Sequence, residues 1–166
     1  MRSLARLNYS LGFVLCAILL GAAFYLEYFQ DQLPCLLCQL QRIVMAVMGI
    51  IFLIAAIHRP QGKSRFVYFT LLLLVGICGL LLAGRQLWLI AHPELVADAP
   101  CSPSLSYLVS VLPLNKVIIM SIQGSGDCAK ATWHFLSLSL PAWSFISFGV
   151  LLLLNFTALI AYCKSK

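Results

Sequence analysis

Four stretches of this chain, Ser10 to Tyr28, Leu40 to Ile57, Phe66 to Trp88 and Trp143 to Tyr162, are apolar almost throughout. Each is about 20 residues long, which a helix rising about 1.5 Å per residue needs to cross a hydrocarbon core roughly 30 Å thick. None alternates polar and apolar residues at period two, so a transmembrane barrel is excluded and a helical bundle is left. With 62% hydrophobic and 10% charged residues, the chain could not be solubilised as a globular domain. The expected fold is an all-α integral membrane protein. It is a single domain over 1–166, an antiparallel four-helix transmembrane bundle with a short loop over about 29–39 and a long one over about 89–142.

Charge placement orients the bundle. Arg2, Arg6, Arg59, Lys63, Arg65, Lys164 and Lys166 fall in the two tails and the connection after the second run, which makes those segments cytoplasmic. The acids Glu27, Asp31, Glu94, Asp98 and Asp127 lie toward the opposite side, so the net charge of +6 follows from topology and gives no reason to expect nucleic-acid binding. Gly21-Ala22-Ala23 after a basic start imitates a signal-peptide cleavage site. The apolar run is longer than a signal core, however, and its removal would leave three spans between termini whose charges agree.

At the outer side, Pro34-Cys35-Leu36-Leu37-Cys38 stands where a polar loop meets the second run. If that run is helical, Cys38 falls in or just before its first turn, where unpaired N–H groups and the helix dipole favour a thiolate. Arg42 follows one turn later on the same face, and helical side chains lean toward the N-terminus, so its guanidinium can point at the sulfur. In the helices, Gly76, Gly79 and Gly84 offer close backbone approach, Cys16 and Cys78 are expected to be buried packing residues, and Asn155 and Thr157 to bond between helices. Glu27 reads as an interfacial acid or as a group lining a site near the cysteines, and His58 as a surface residue. Arg85 either snorkels to the headgroups or joins His92 in facing the pocket of Arg42.

The long loop runs for roughly 50 residues, too long for a mere turn, so function is expected there. It holds Pro93, Pro100, Pro103 and Pro113, a mildly amphipathic piece from Leu114 to Gln123 suited to the membrane surface, and two cysteines, Cys101 and Cys128. Of the seven cysteines, these two and the C-x-x-C pair share the outer, oxidising side. Three pairings are open, and a reactive C-x-x-C suggests Cys35 with Cys38 and Cys101 with Cys128. As a static staple, the second pair would close about 28 residues and stabilise the loop by roughly 3 to 4 kcal/mol. The C-x-x-C ring constrains too little chain for that role and is readily reduced. A zinc site is disfavoured because Cys101 and Cys128 are far apart in sequence, so no metal is expected. Two exchangeable disulfides imply a relay, and within lipid the natural two-electron acceptor is a quinone.

The chain resembles the bacterial disulfide bond formation protein B family, DsbB, over nearly its full length. The resemblance is carried by Cys35-Leu36-Leu37-Cys38 followed by Gln41-Arg42, by Arg85-Gln86-Leu87-Trp88-Leu89, and by Gly124-Ser125-Gly126-Asp127-Cys128 with Trp133 and Pro141-Ala142-Trp143. It implies a bacterial inner-membrane enzyme with both termini cytoplasmic and its active cysteines periplasmic. A periplasmic DsbA-like thiol oxidase would attack the Cys101 and Cys128 disulfide, forming a mixed disulfide at Cys101. Cys128 would then attack Cys35 and release Cys38 as a thiolate. By the same resemblance Cys38 meets ubiquinone or menaquinone in a charge-transfer complex, with Arg42 holding the quinone and His92 standing near it. A lowered leaving-group pKa would speed departure of Cys38.

Two other readings compete. One is a noncatalytic four-helix scaffold whose outer disulfides brace a partner-binding loop. The other reverses electron flow, as in vitamin K epoxide reductase, but there the membrane C-x-x-C stands late in the chain, unlike Cys35 and Cys38.

Overall fold

The computed structural model describes residues 2–29, 35–96, 105–124, 134–135 and 138–163. Its long helices are α1 (Arg2–Phe29), α2 (Leu36–His58), α3 (Lys63–Ala91) and, after the long connection, α6 (Leu140–Cys163). All four are long and apolar enough to cross a membrane. Each outruns its apolar stretch by several residues, because intrahelical hydrogen bonds remain the cheapest way to satisfy the backbone where the chain enters the interface. Two short helices, α4 (Leu105–Val111) and α5 (Leu114–Gln123), and a two-stranded antiparallel hairpin, β1 (His134–Phe135) with β2 (Leu138–Ser139), lie in the long connection.

The helices close a ring in which α1 packs on α2, α2 on α3, α3 on α6 and α6 on α1. Without a hydrophobic force between helices in lipid, association rests on close packing and on a few polar bonds. Gly12 lies against the Phe52 ring, where an added Cβ would come within 2.7 Å of a ring carbon, and at Gly76 the same atom would lie 2.8 Å from Leu152 Cγ. Gly79 meets Phe148 as tightly, whereas Gly84 has only ordinary contact with Phe145. Asn155 donates to the Phe69 carbonyl at 3.1 Å, and Asn8 donates to Thr157 Oγ1 at 3.1 Å, so both expected interhelical bonders make such bonds. Cys16 is buried with its Cβ facing Gly49. Cys78 corrects expectation by being exposed: it is two residues from Gly76, which turns it about 200° away from the face that meets α6. Ile18, Ile50, Leu74, Leu81 and Leu153 also point outward, as a lipid-facing surface requires.

The α2–α3 connection is tight. Arg59 takes a left-handed conformation (φ 51°) and its N–H bonds the Ala55 carbonyl, after which Pro60 prevents the helix from continuing. His58 is exposed as expected, yet its Nδ1 lies 2.8 Å from the Tyr68 hydroxyl across the turn. Arg65 is not a loop cation but 4% exposed, folded back to hydrogen-bond Tyr9. The Tyr9 and Asn8 contacts place the start of α1 and the end of α6 at this cationic end. The C-x-x-C is therefore at the other end.

Candidate functional site

The C-x-x-C is not carried in a loop: Cys35 is the N-cap of α2, with extended dihedrals (φ −66°, ψ 166°), and Cys38 is the third helical residue. The Cys35 carbonyl accepts the first intrahelical bond, from the Gln39 N–H at 3.0 Å. This register puts both sulfurs at the positive end of the helix dipole, which favours an anion there. Cys35 Sγ donates to Cys38 Sγ at 3.3 Å, a hydrogen bond rather than the covalent contact of about 2.05 Å. The two sulfurs are in contact without being bonded to each other.

The two leucines between the cysteines fix the pair from opposite sides. Leu37 is buried against Leu89 near the end of α3 and Val96 in the short 3-10 turn Pro93–Val96. Leu36 is buried beneath α4 and α5, against Leu108 and Val117. The side chain of Gln39 accepts the Leu105 N–H at 3.2 Å, so the residue after Cys38 also holds the first turn of α4. At the far end of α5, Arg85 donates from Nε to the Ile122 carbonyl at 3.1 Å and from Nη2 to that of Gln123 at 3.3 Å. Arg85 therefore neither snorkels nor faces Arg42; it caps exposed carbonyls at a helix C-terminus, where a cation is favoured. The amphipathic piece expected at Leu114–Gln123 forms as α5 and leaves Leu114, Ile118, Ile119 and Ile122 exposed.

Arg42 lies one turn beyond Cys38 but does not turn back to it. Its guanidinium ion-pairs with Glu27 on α1, donates from Nη2 to the Ala23 carbonyl at 3.0 Å and stands over the Phe24 ring at 5.3 Å from its centroid. The Glu27 carboxylate and the Ala23 carbonyl draw it across to α1. Glu27 is accordingly the ion-pair partner of Arg42. His92 closes α3, with its ring stacked on Trp88 at 4.3 Å and its Nδ1 3.2 Å from the Trp88 carbonyl; the bonds described for it lead to Trp88. Cys101 and Cys128 lie outside the described residues.

What meets the sulfurs is a side chain that sequence reasoning did not select as a site residue. Gln86 on α3 is 3% exposed; its Nε2 donates to Cys38 Sγ at 3.1 Å and to Cys35 Sγ at 3.4 Å. Its Oε1 accepts from Gln41 Nε2 at 2.8 Å, and Gln41 is 5% exposed. An amide inside an apolar helix was the available signal, because intramembrane polar groups are costly unless they have a partner or a task.

The family model described as "Disulfide bond formation protein DsbB" matches residues 5–158. Among curated proteins, the chain is 41% identical to a disulfide bond formation protein B of Marinobacter nauticus over 151 residues, which covers 91% of this chain and 89% of the relative. Against the protein of the same description from Hahella chejuensis it is 40% identical over 157 residues, covering 95% and 92%. A third relative, from Methylococcus capsulatus, is 41% identical over 145 residues, covering 87% of each. Four membrane-spanning helices, a C-x-x-C pair at a helix N-terminus and this whole-length similarity lead to one conclusion: the chain belongs to the DsbB family of membrane disulfide bond formation proteins.

Proposed function

We propose that this protein is a quinone-dependent thiol oxidase of the bacterial inner membrane, with its cysteine end in the periplasm, that reoxidises a DsbA-like dithiol partner. The observation that carries the reading is the Cys35 and Cys38 pair at the N-terminus of α2, sulfur against sulfur, under the first turn of the helix that follows Cys101 in sequence. A partner thiolate attacks Cys101 Sγ, breaking its bond to Cys128, which leaves as a thiolate. Cys128 attacks Cys35 Sγ and Cys38 departs with the electron pair. The partner's second thiolate then displaces Cys101, completing the partner's own disulfide. Cys101 in turn displaces Cys35 from Cys128, and the loop disulfide is restored while Cys35 and Cys38 are left reduced. The two electrons have moved from the partner to the helix pair.

Ubiquinone or menaquinone, bound beside that pair, supplies the acceptor for two electrons and two protons. The residues suit such a group. Arg42 and the exposed Phe24 ring offer a cation and an aromatic face toward lipid, and among the described residues the guanidinium keeps N–H donors beyond those given to Glu27 and Ala23. His92 remains a proposed neighbour of that group through its position at the end of α3. The test is trapping: the parent chain mixed with a reduced DsbA-like partner whose second active-site cysteine is replaced by serine should accumulate a mixed disulfide through Cys101, because the partner can then not displace Cys101 again. A parent chain that captures no such partner, or captures it through Cys35, contradicts the order of transfers.

A further inference from the structure

We propose that Gln86 is a catalytic hydrogen-bond donor that stabilises the Cys38 thiolate as it leaves, and that Gln41 is the positioning residue that aims it. The inference rests on the relay above for its meaning, but its geometry stands alone. The Gln86 carboxamide carries two N–H bonds, and its nitrogen is within bonding distance of both sulfurs, at 3.1 Å from Cys38 and 3.4 Å from Cys35. Gln41 sits one turn after Cys38 on the same face of α2 and donates to the Gln86 oxygen at 2.8 Å. Only the oxygen can accept that bond, so the NH2 end is left facing the cysteines.

Burial makes the arrangement matter. Both amides are nearly inaccessible, and a misdirected donor or acceptor there would lose its water without gaining a partner. In such surroundings a hydrogen bond to a developing anion is stronger than in water. When a thiolate attacks Cys35 Sγ, the electron pair of the broken bond moves onto Cys38 Sγ, and the adjacent N–H groups receive it without transferring a proton. An amide cannot quench the thiolate, as a protonated lysine or histidine could. In the dithiol, Cys38 Sγ also lies 3.6 Å from Gln86 Oε1, a contact its thiol proton can make and its anion cannot, so ionisation shifts the sulfur's bonding to the nitrogen.

The charged and titratable groups on the surrounding elements are engaged or exposed. Arg42 and Glu27 hold each other, Arg85 holds the end of α5, His92 lies on Trp88, and Glu94, Tyr107 and Lys116 are exposed. The Gln86 amide is set directly against both sulfurs.

The experiment is the pH dependence of Cys38 alkylation by iodoacetamide in the reduced, membrane-reconstituted full chain, read peptide by peptide by mass spectrometry. Neither quinone nor partner is added. Gln86→Met, which keeps the volume and removes the donor, should raise the midpoint by about one to two pH units, the equivalent of one hydrogen bond to a charged group. Gln86→Glu, which keeps the shape but sets a carboxylate against the sulfur, should raise it at least as far. Gln41→Leu should produce a smaller rise. An unmoved midpoint in Gln86→Met overturns the proposal, and if that variant does not fold, an unmoved or lowered midpoint in Gln86→Glu does so. Loss of the shift with quinone reduction intact would refute only the role of Gln86, whereas the shift without quinone reduction would refute only the relay.

Discussion

Leu36→Ala tests whether the long connection is anchored on the reactive pair itself. Leu36 is 2% exposed and packs against Leu108 and Val117, with Leu105 and Leu112 around them. Truncating a buried leucine costs about 2 to 5 kcal/mol. The lower part of that range applies here, because two short helices can settle into the gap. A loss of about 2 to 3 kcal/mol corresponds to roughly a 30- to 150-fold rise in local opening. The Gln39 bond to Leu105 and the Arg85 bonds to the end of α5 remain, so the helices stay docked but open more often. Helices of seven and ten residues have little stability of their own, so hydrogen exchange reports their docking directly. Amide protection over Leu105–Gln123 should fall by that factor, while α2 around Met48, Phe52 and Ala55, in a separate buried cluster, should keep its protection. Unchanged protection in α4 and α5 would refute the anchoring, and an equal loss along α2 would refute the separation of connection from bundle.

Other substitutions probe the bundle and the cation. Gly79→Val should lower the thermal unfolding midpoint in detergent, by about 1 to 3 kcal/mol of overpacking, because its Cβ would lie 2.6 Å from Phe148 ring carbons; Gly84→Ala, with Phe145 at 3.7 Å, should not. Asn155→Leu removes the bond to the Phe69 carbonyl and should cost about 0.6 to 2 kcal/mol, measured by titration with a denaturing detergent. Arg42→Leu should raise the KM for quinone roughly ten- to a hundredfold, the loss of a hydrogen bond from a charged donor, while trapping at Cys101 of a partner that lacks its second active-site cysteine is unaffected.

The helices were legible because each apolar run has only one way to satisfy its backbone in lipid, and the placement of cations at one end followed from the same constraint. Helix starts were less so. Leu36 and Leu37 read as part of a loop, yet both are buried, and their burial draws the first turn of α2 back to Cys35. The spacing left Cys38 in or just before the first turn, and the earlier start of α2 makes it the third helical residue. The direction of Arg42 was not, since its Glu27 and Ala23 partners are on another helix and depend on how the two rotate against each other. Gln86 illustrates the same limit. Its presence in an apolar run marks it, but 48 residues separate it from Cys38, and only packing brings the two together.

Quinone reduction by the purified chain, supplied with a reduced DsbA-like dithiol, tests the central claim most directly. The parent should reduce one quinone for each disulfide formed in the partner, and Cys38→Ala and Cys128→Ala should each abolish the reaction. Quinone reduction that persists at the parent rate in Cys38→Ala, or partner oxidation by the parent chain with no quinone consumed, would contradict the account.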